Sequence, residues 1–128
     1  MTKPLLYVVD DEPTMAEYVG HIGEMVGFTV RTAKSGKEFQ ELCAEETPSG
    51  VVTDIVMPDV DGNEVFQWLG ANLNTKAVIV MSGMDHGNVG AAVKLGQLRG
   101  AHVVGALEKP FREAELEPLL RAMLEEVG

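Results

Sequence analysis

The sequence predicts one α/β domain in which helices wind over both faces of a five-stranded parallel sheet. Two patterns and one length carry that prediction. Short apolar runs alternate five times with stretches of helical periodicity. The first and fourth runs are apolar throughout instead of alternating with polar residues, as in strands covered on both sides. The chain has 128 residues, one domain's worth by the usual range of roughly 100–200. That is enough to bury a core without a disulfide or a structural metal.

The elements follow in order. Leu5-Leu6-Tyr7-Val8-Val9 is the first strand. Pro13 suits a first helical position, where its missing N–H is not needed, and Gly27 suits the stop. Between them Met15, Tyr18, Val19, Ile22 and Val26 recur at helical spacing. Phe28-Thr29-Val30 is a weaker second strand. Ser35 and Glu38 form an S-x-x-E capping box for a helix whose inner face is Phe39, Leu42 and Cys43. Val51-Val52-Thr53 is the third strand, and Asp61 caps a helix bearing Val65, Phe66, Leu69 and Leu73. Ala77 to Met81 is the fourth strand. Ala91, Ala92, Leu95 and Leu98 mark a fourth helix diluted by Gly87, Gly90, Gly96 and Gly100, each costing about 1 kcal/mol relative to alanine within a helix. Val103-Val104 with Ala106-Leu107 is the fifth strand, and Leu116 to Val127 an amphipathic fifth helix ending near Glu126. Pro118 falls inside that last pattern, so the helix is expected to start late or bend there. Right-handed crossovers between parallel strands then place helices on both faces.

Composition excludes several functions. Lys and Arg number 10 and Asp and Glu 20, a formal net charge of −10, which argues against a nucleic-acid or anionic-membrane binder. Cys43 is the only cysteine, so there is neither a disulfide framework nor a cysteine-based zinc site. No run reaches the roughly 18 apolar residues of a membrane span, and Leu5 to Val9 is too short for a signal-peptide core. The expectation is a cytoplasmic domain.

In open parallel sheets, ligands bind beyond the carboxyl ends of the strands. The first strand delivers Asp10, Asp11 and Glu12 there, the third Asp54, the fourth Ser82 and Gly83, and the fifth Glu108, Lys109 and Pro110. The second delivers nothing obvious. Taken singly, each has an ordinary explanation: a helix cap for Asp10-Asp11, a turn residue for Asp54, a loop pair for Ser82-Gly83, a solvated strand end for Lys109. Taken together, they bring complementary chemistry to one edge. Clustered carboxylates repel, and a hard divalent cation such as Mg2+ relieves the repulsion. A carboxylate beside such an ion can attack phosphorus. Lys109 and Ser82 would then contact the phosphoryl oxygens. His21, His86 and His102 are scattered and have no role in this scheme.

These residues resemble the receiver domain of two-component response regulators, chemotaxis regulators among them. Asp54-Ile55-Val56-Met57-Pro58-Asp59-Val60-Asp61-Gly62 is similar to that family's D-x-x-M-P-x-x-D-G segment. Val8-Val9-Asp10-Asp11-Glu12 is similar to its acidic start, Ser82 occupies its Ser/Thr position, and Lys109-Pro110-Phe111 matches its K-P-F signature. The resemblance covers nearly the whole chain, residues 1–128, as one receiver domain. It implies a doubly wound, flavodoxin-like sheet with strand order 2-1-3-4-5. It also implies that Asp54 is the phosphoacceptor, that Ser82 and Lys109 contact the phosphoryl group, and that Mg2+ is held by Asp10, Asp11, Asp54 and the backbone carbonyl of Val56. The donor would be a sensor histidine kinase or a histidine phosphotransfer protein. The output would be a downstream protein target or a C-terminal output domain of a longer regulator. Such a chain is not an enzyme in the ordinary sense: it phosphorylates and dephosphorylates only itself.

Two departures from the family pattern stand out. Ala106 lies three residues before the lysine, where the family carries an aromatic residue or histidine that reports the switch. The stretch between Ser82 and Lys109 is also longer than usual, around Gly96 to Ala101. Two other readings remain. A degenerate receiver would bind partners without phosphorylation. A phosphatase of the haloacid-dehalogenase type would also use an aspartate nucleophile with Mg2+, but its D-x-D-x-T/V loop is not matched by Asp10-Asp11-Glu12-Pro13.

Overall fold

The computed structural model describes residues 3–54, 77–83 and 103–127, with only the backbone given for 82 and 83. Five parallel strands form one sheet: β1 (Leu5–Val9), β2 (Thr29–Ala33), β3 (Gly50–Asp54), β4 (Ala77–Gly83) and β5 (Val103–Lys109). Their order is β2-β1-β3-β4-β5, the order the resemblance implies. Three helices are described: α1 (Pro13–Val26), α2 (Gly36–Glu45) and α3 (Glu113–Val127), the last being the fifth of the sequence pattern. The helices expected after Asp61 and around Ala91 to Leu98, together with Val56, His86, His102 and the glycines of the fourth helix, lie outside the described residues.

The all-apolar strands behave as their pattern requires. Successive side chains of a strand point to opposite faces, so β1 divides its residues between two cores. Leu5, Tyr7 and Val9 pack with Phe39 and Cys43 of α2. Leu6 and Val8 pack with Val19 and Ile22 of α1 and with Leu116, Leu120 and Met123 of α3. Val51 and Val52 of β3 divide in the same way. The sheet is thus covered on both sides.

Most helix ends match their signals. Pro13 opens α1, and Gly27 closes it with φ of +133°, a conformation that side-chain-bearing residues rarely adopt. The Ser35 hydroxyl accepts the Glu38 N–H at 3.1 Å, which is the first arm of the expected capping box. Other expectations are corrected. Asp10 and Asp11 do not cap α1: its N-cap is Glu12, without a side-chain cap. The buried face of α1 is Ala16, Val19, Gly20, Ile22 and Gly23, while Tyr18 is exposed. A β-carbon on Gly23 would sit 2.8 Å from Leu6, so the helix lies close enough to the sheet to need small residues there. Phe28 is fully buried but precedes β2, which starts at Thr29. Pro118 does not delay α3, which begins at Glu113 and runs through it to Val127.

On the α2 side the Tyr7 hydroxyl reaches the helix's terminal carbonyls, at 2.6 Å from Glu46 O and 3.0 Å from Leu42 O. Burial pushes the Cys43 thiol from 9.0 up to about 12. Burial, followed by the nearby Cys43, also raises the Tyr7 phenol above 10.0. Both groups stay protonated in the folded chain at a pH where the unfolded chain has begun to release the proton. Protons are then bound less by the unfolded state, so stability falls as pH rises above about 9, by up to roughly 1.4 kcal/mol per pH unit for each group. Urea midpoints between about pH 9 and 11 should therefore fall more steeply for the wild type than for Cys43→Ala. Equal slopes would exclude the buried thiol as a cause.

Candidate functional site

Asp10 follows the last residue of β1, Asp54 ends β3 and Lys109 ends β5, so three strands deliver them to one rim of the sheet. Their side must also agree. Asp10 continues the alternation of Leu6 and Val8, and Asp54 that of Val52, so both lie toward the α1/α3 face. Lys109 reaches that face only through an irregularity in β5. Val78 pairs with Val103, but Ile79 pairs with Gly105, which leaves Val104 as an extra residue. Val103 packs in the α2-side core and Leu107 in the α1/α3 core, although an unbroken strand would put them on the same side. The bulge reverses the alternation and carries Lys109 to the side of the carboxylates.

There the Lys109 ammonium bridges two aspartates, with Nζ 2.6 Å from Asp10 Oδ2 and 2.9 Å from Asp54 Oδ2. The other Asp10 oxygen, Oδ1, accepts the Glu12 N–H at 2.9 Å. The Asp10 N–H in turn donates to Ala33 O at 3.0 Å, so β2 contributes a backbone acceptor that the sequence did not suggest. Asp10 is fully buried, and the side chains of Asp54 and Lys109 are 10% and 17% exposed. Burial raises the Asp10 carboxyl above the usual carboxylate value despite its bonds to Lys109 and Glu12. Burial pulls Lys109 down, but its hydrogen bonds to Asp10 and Asp54 outweigh this and leave it above the usual lysine value.

Asp11 is exposed, and one carboxylate oxygen from each of Asp10, Asp11 and Asp54 lies within 4.8 Å of the others. Among the described residues, three carboxylates face one ammonium, which leaves two formal negative charges. With hard oxygen donors, that balance fits a divalent cation of the Mg2+ kind. The geometry thus assembles Asp10, Asp11, Asp54 and Lys109. Ser82 is placed by its backbone alone, at the end of β4 opposite Glu108. Val56 is outside the described residues.

One further group, beside the site on the opposite face of β3, is not singled out by the sequence reading. Thr53 is fully buried, and its hydroxyl donates to the Asp54 carbonyl at 2.9 Å. A polar residue within Val51-Val52-Thr53 was the available signal.

Residues 6–121 match the family model described as the response regulator receiver domain. The chain belongs to that family. It is 30% identical over 123 residues to the transcriptional regulatory protein FixJ of Bradyrhizobium diazoefficiens, covering 96% of this chain and 58% of that protein. It is 32% identical over 119 residues to the response regulator MprA of Mycolicibacterium vanbaalenii, covering 93% of this chain and 49% of MprA. The receiver domain therefore spans about half the length of the curated relatives it matches. The crystal structure of the receiver domain of NtrX from Brucella abortus superposes with a TM-score of 0.79 at 27% identity, covering 94% of this chain and 98% of that one. Among the described residues of this receiver, no helix is long and apolar enough to cross a membrane.

Proposed function

We propose that this receiver domain takes a phosphoryl group onto Asp54 from a phosphohistidine of a sensor histidine kinase or phosphotransfer protein, with Mg2+ held by Asp10, Asp11, Asp54 and the carbonyl of Val56. The observation that carries this reading is the Lys109 bridge, which sets one ammonium between Asp54 and Asp10 beside a third carboxylate. A carboxylate oxygen of Asp54 attacks phosphorus. The new O–P bond forms as the P–N bond breaks, and the imidazole nitrogen departs with the electron pair. Lys109 already touches Asp54, so its N–H groups are placed to donate to the incoming phosphoryl oxygens. Bound Mg2+ would supply the positive charge that offsets repulsion between the carboxylate and the phosphoryl group. The Ser82 hydroxyl would donate to the phosphoryl group, as the resemblance to the family implies.

Hydrolysis of the acyl phosphate returns Asp54, so the domain switches itself and turns over no external substrate. The added charge of roughly −1.5 to −2 biases a protein-binding face. The partner is a downstream protein or an output domain of a longer regulator, and the domain works in the cytoplasm without nucleic-acid or membrane contact of its own.

Asp10 is a poor nucleophile by contrast. It is fully buried, and both its oxygens are engaged, by Lys109 and by the Glu12 N–H. That disfavours the phosphatase reading, in which the aspartate after the first strand attacks. The test is intact-mass analysis with acetyl phosphate and Mg2+. The expected result is one labile phosphoryl adduct per chain, lost with chelator. Sustained hydrolysis of a phosphate ester would support the phosphatase instead. No adduct with any donor would leave the degenerate receiver, which Ala106 at the usual switch position keeps open although the acidic cluster, Asp54 and Lys109 argue against it.

A further inference from the structure

We propose that Thr53 is a positioning residue for the phosphoacceptor: its buried hydroxyl holds the Asp54 main-chain carbonyl and so sets the direction in which the chain leaves β3. The inference deepens the reading of Asp54 as phosphoacceptor and rests on it.

The argument starts from packing. Thr53 lies in the middle of the sheet, paired with Val9 on one side and Val80 on the other. Both neighbours belong to the apolar α2-side core. Valine has nearly the shape of threonine and is an equally good strand residue, so packing at this position asks for valine. A hydroxyl there is costly to bury unless it is hydrogen-bonded. The buried polar or charged residues of the described core are Asp10, Asp54 and Thr53. Two of them form the site, and the third immediately precedes the phosphoacceptor.

The Thr53 Oγ1 donates to Asp54 O at 2.9 Å. That carbonyl belongs to the peptide joining Asp54 to Ile55. Fixing it restrains the ψ angle of Asp54, and with it both the pose of the residue and the first step of the following chain. The Asp54 carboxylate must keep its 2.9 Å contact with Lys109 while it meets an incoming phosphorus atom. Reaction rates are sensitive to misplacement on the ångström scale. The Thr53 hydroxyl touches neither the carboxylate nor the phosphoryl group in this scheme and acts only through the Asp54 backbone.

The test compares wild type, Thr53→Val and Thr53→Ser for the rate of phosphorylation by acetyl phosphate at saturating Mg2+, with urea midpoints measured alongside. Thr53→Val is expected to fold with a midpoint at or above that of wild type and to phosphorylate about fivefold more slowly, in line with a modest loss of alignment. Thr53→Ser keeps the hydroxyl but loses the methyl group, so it is expected to lower the midpoint and restore most of the rate. This opposite ordering of stability and rate is not expected from a merely structural residue. A Thr53→Val rate equal to wild type, or a Thr53→Ser rate no better than Thr53→Val, overturns the inference. If wild type itself takes no phosphoryl group, the function reading fails first.

Discussion

Replacing Asp54 with asparagine is expected to abolish phosphoryl uptake while leaving the fold intact. A carboxamide has the shape of the carboxylate but lacks its charge and its nucleophilic oxygen, so it forms no acyl phosphate. The loss should exceed about a thousandfold, equivalent to roughly 4 kcal/mol of barrier. Stability should move the other way. Asp10, Asp11 and Asp54 crowd together, with Lys109 touching the first and last of them, and without a bound cation the neutral residue removes one repelling charge. The amide oxygen of the substituted residue can still accept from Lys109. Asp54→Asn should therefore be at least as stable as wild type in chelator and should gain less from added Mg2+. Intact mass and urea unfolding read the two effects separately. An adduct on Asp54→Asn would point to another acceptor, and exposed Asp11 is the candidate beside it among the described residues.

Much of this was legible because it depends on local chemistry. Pro13, Ser35 and Gly27 act through a missing N–H, a hydroxyl and a permissive backbone, and each sits where its residue type predicts. The continuous apolar runs of β1 and β4 predicted strands covered on both faces, which is how they pack. The site's four charged members follow from asking what each strand delivers to the rim. What was missed depends on neighbours distant in sequence. Tyr18 fits the helical period of α1 but is exposed, and the helix approaches β1 and β2 so closely that Gly23 and Gly20 share the inner face with Val19 and Ile22, while Met15 packs against that core as its spacing predicts. The bulge at Val104 is marked in the sequence only by Gly105 inside the strand, which does not say how the register shifts, yet that shift decides the face on which Lys109 emerges. The missing N–H of Pro118 predicts a late start or a bend, but α3 starts before it and runs through it while Leu116, Leu120 and Met123 pack in the core, so burial of its apolar face outweighs one lost helical bond.

Removing the Lys109 ammonium should give the largest loss of stability at the site. In the absence of metal it is the cation that touches both Asp10 and Asp54 among the described contacts. Lys109→Ala leaves a fully buried carboxylate and a mostly buried one facing each other with that partner gone. Breaking a buried ion pair from one side costs about 3–5 kcal/mol. The carboxylates here lie at the sheet's rim, close to exposed Asp11, so the lower end, roughly 3 kcal/mol, is the expected loss in chelator at neutral pH. Mg2+ should then rescue the variant more than it stabilises wild type. With the ammonium gone, a divalent cation meets three carboxylates without the competing charge of Lys109, and binding to the folded state adds about 2.7 kcal/mol once its concentration reaches a hundred times the dissociation constant. Urea unfolding of both proteins in chelator and in Mg2+ measures the coupling as a double difference. If Lys109→Ala is as stable as wild type in chelator, the bridge contributes nothing to the fold. If the Mg2+ increments are equal, ammonium and metal do not share the same carboxylates, and the charge balance assigned to this rim is wrong.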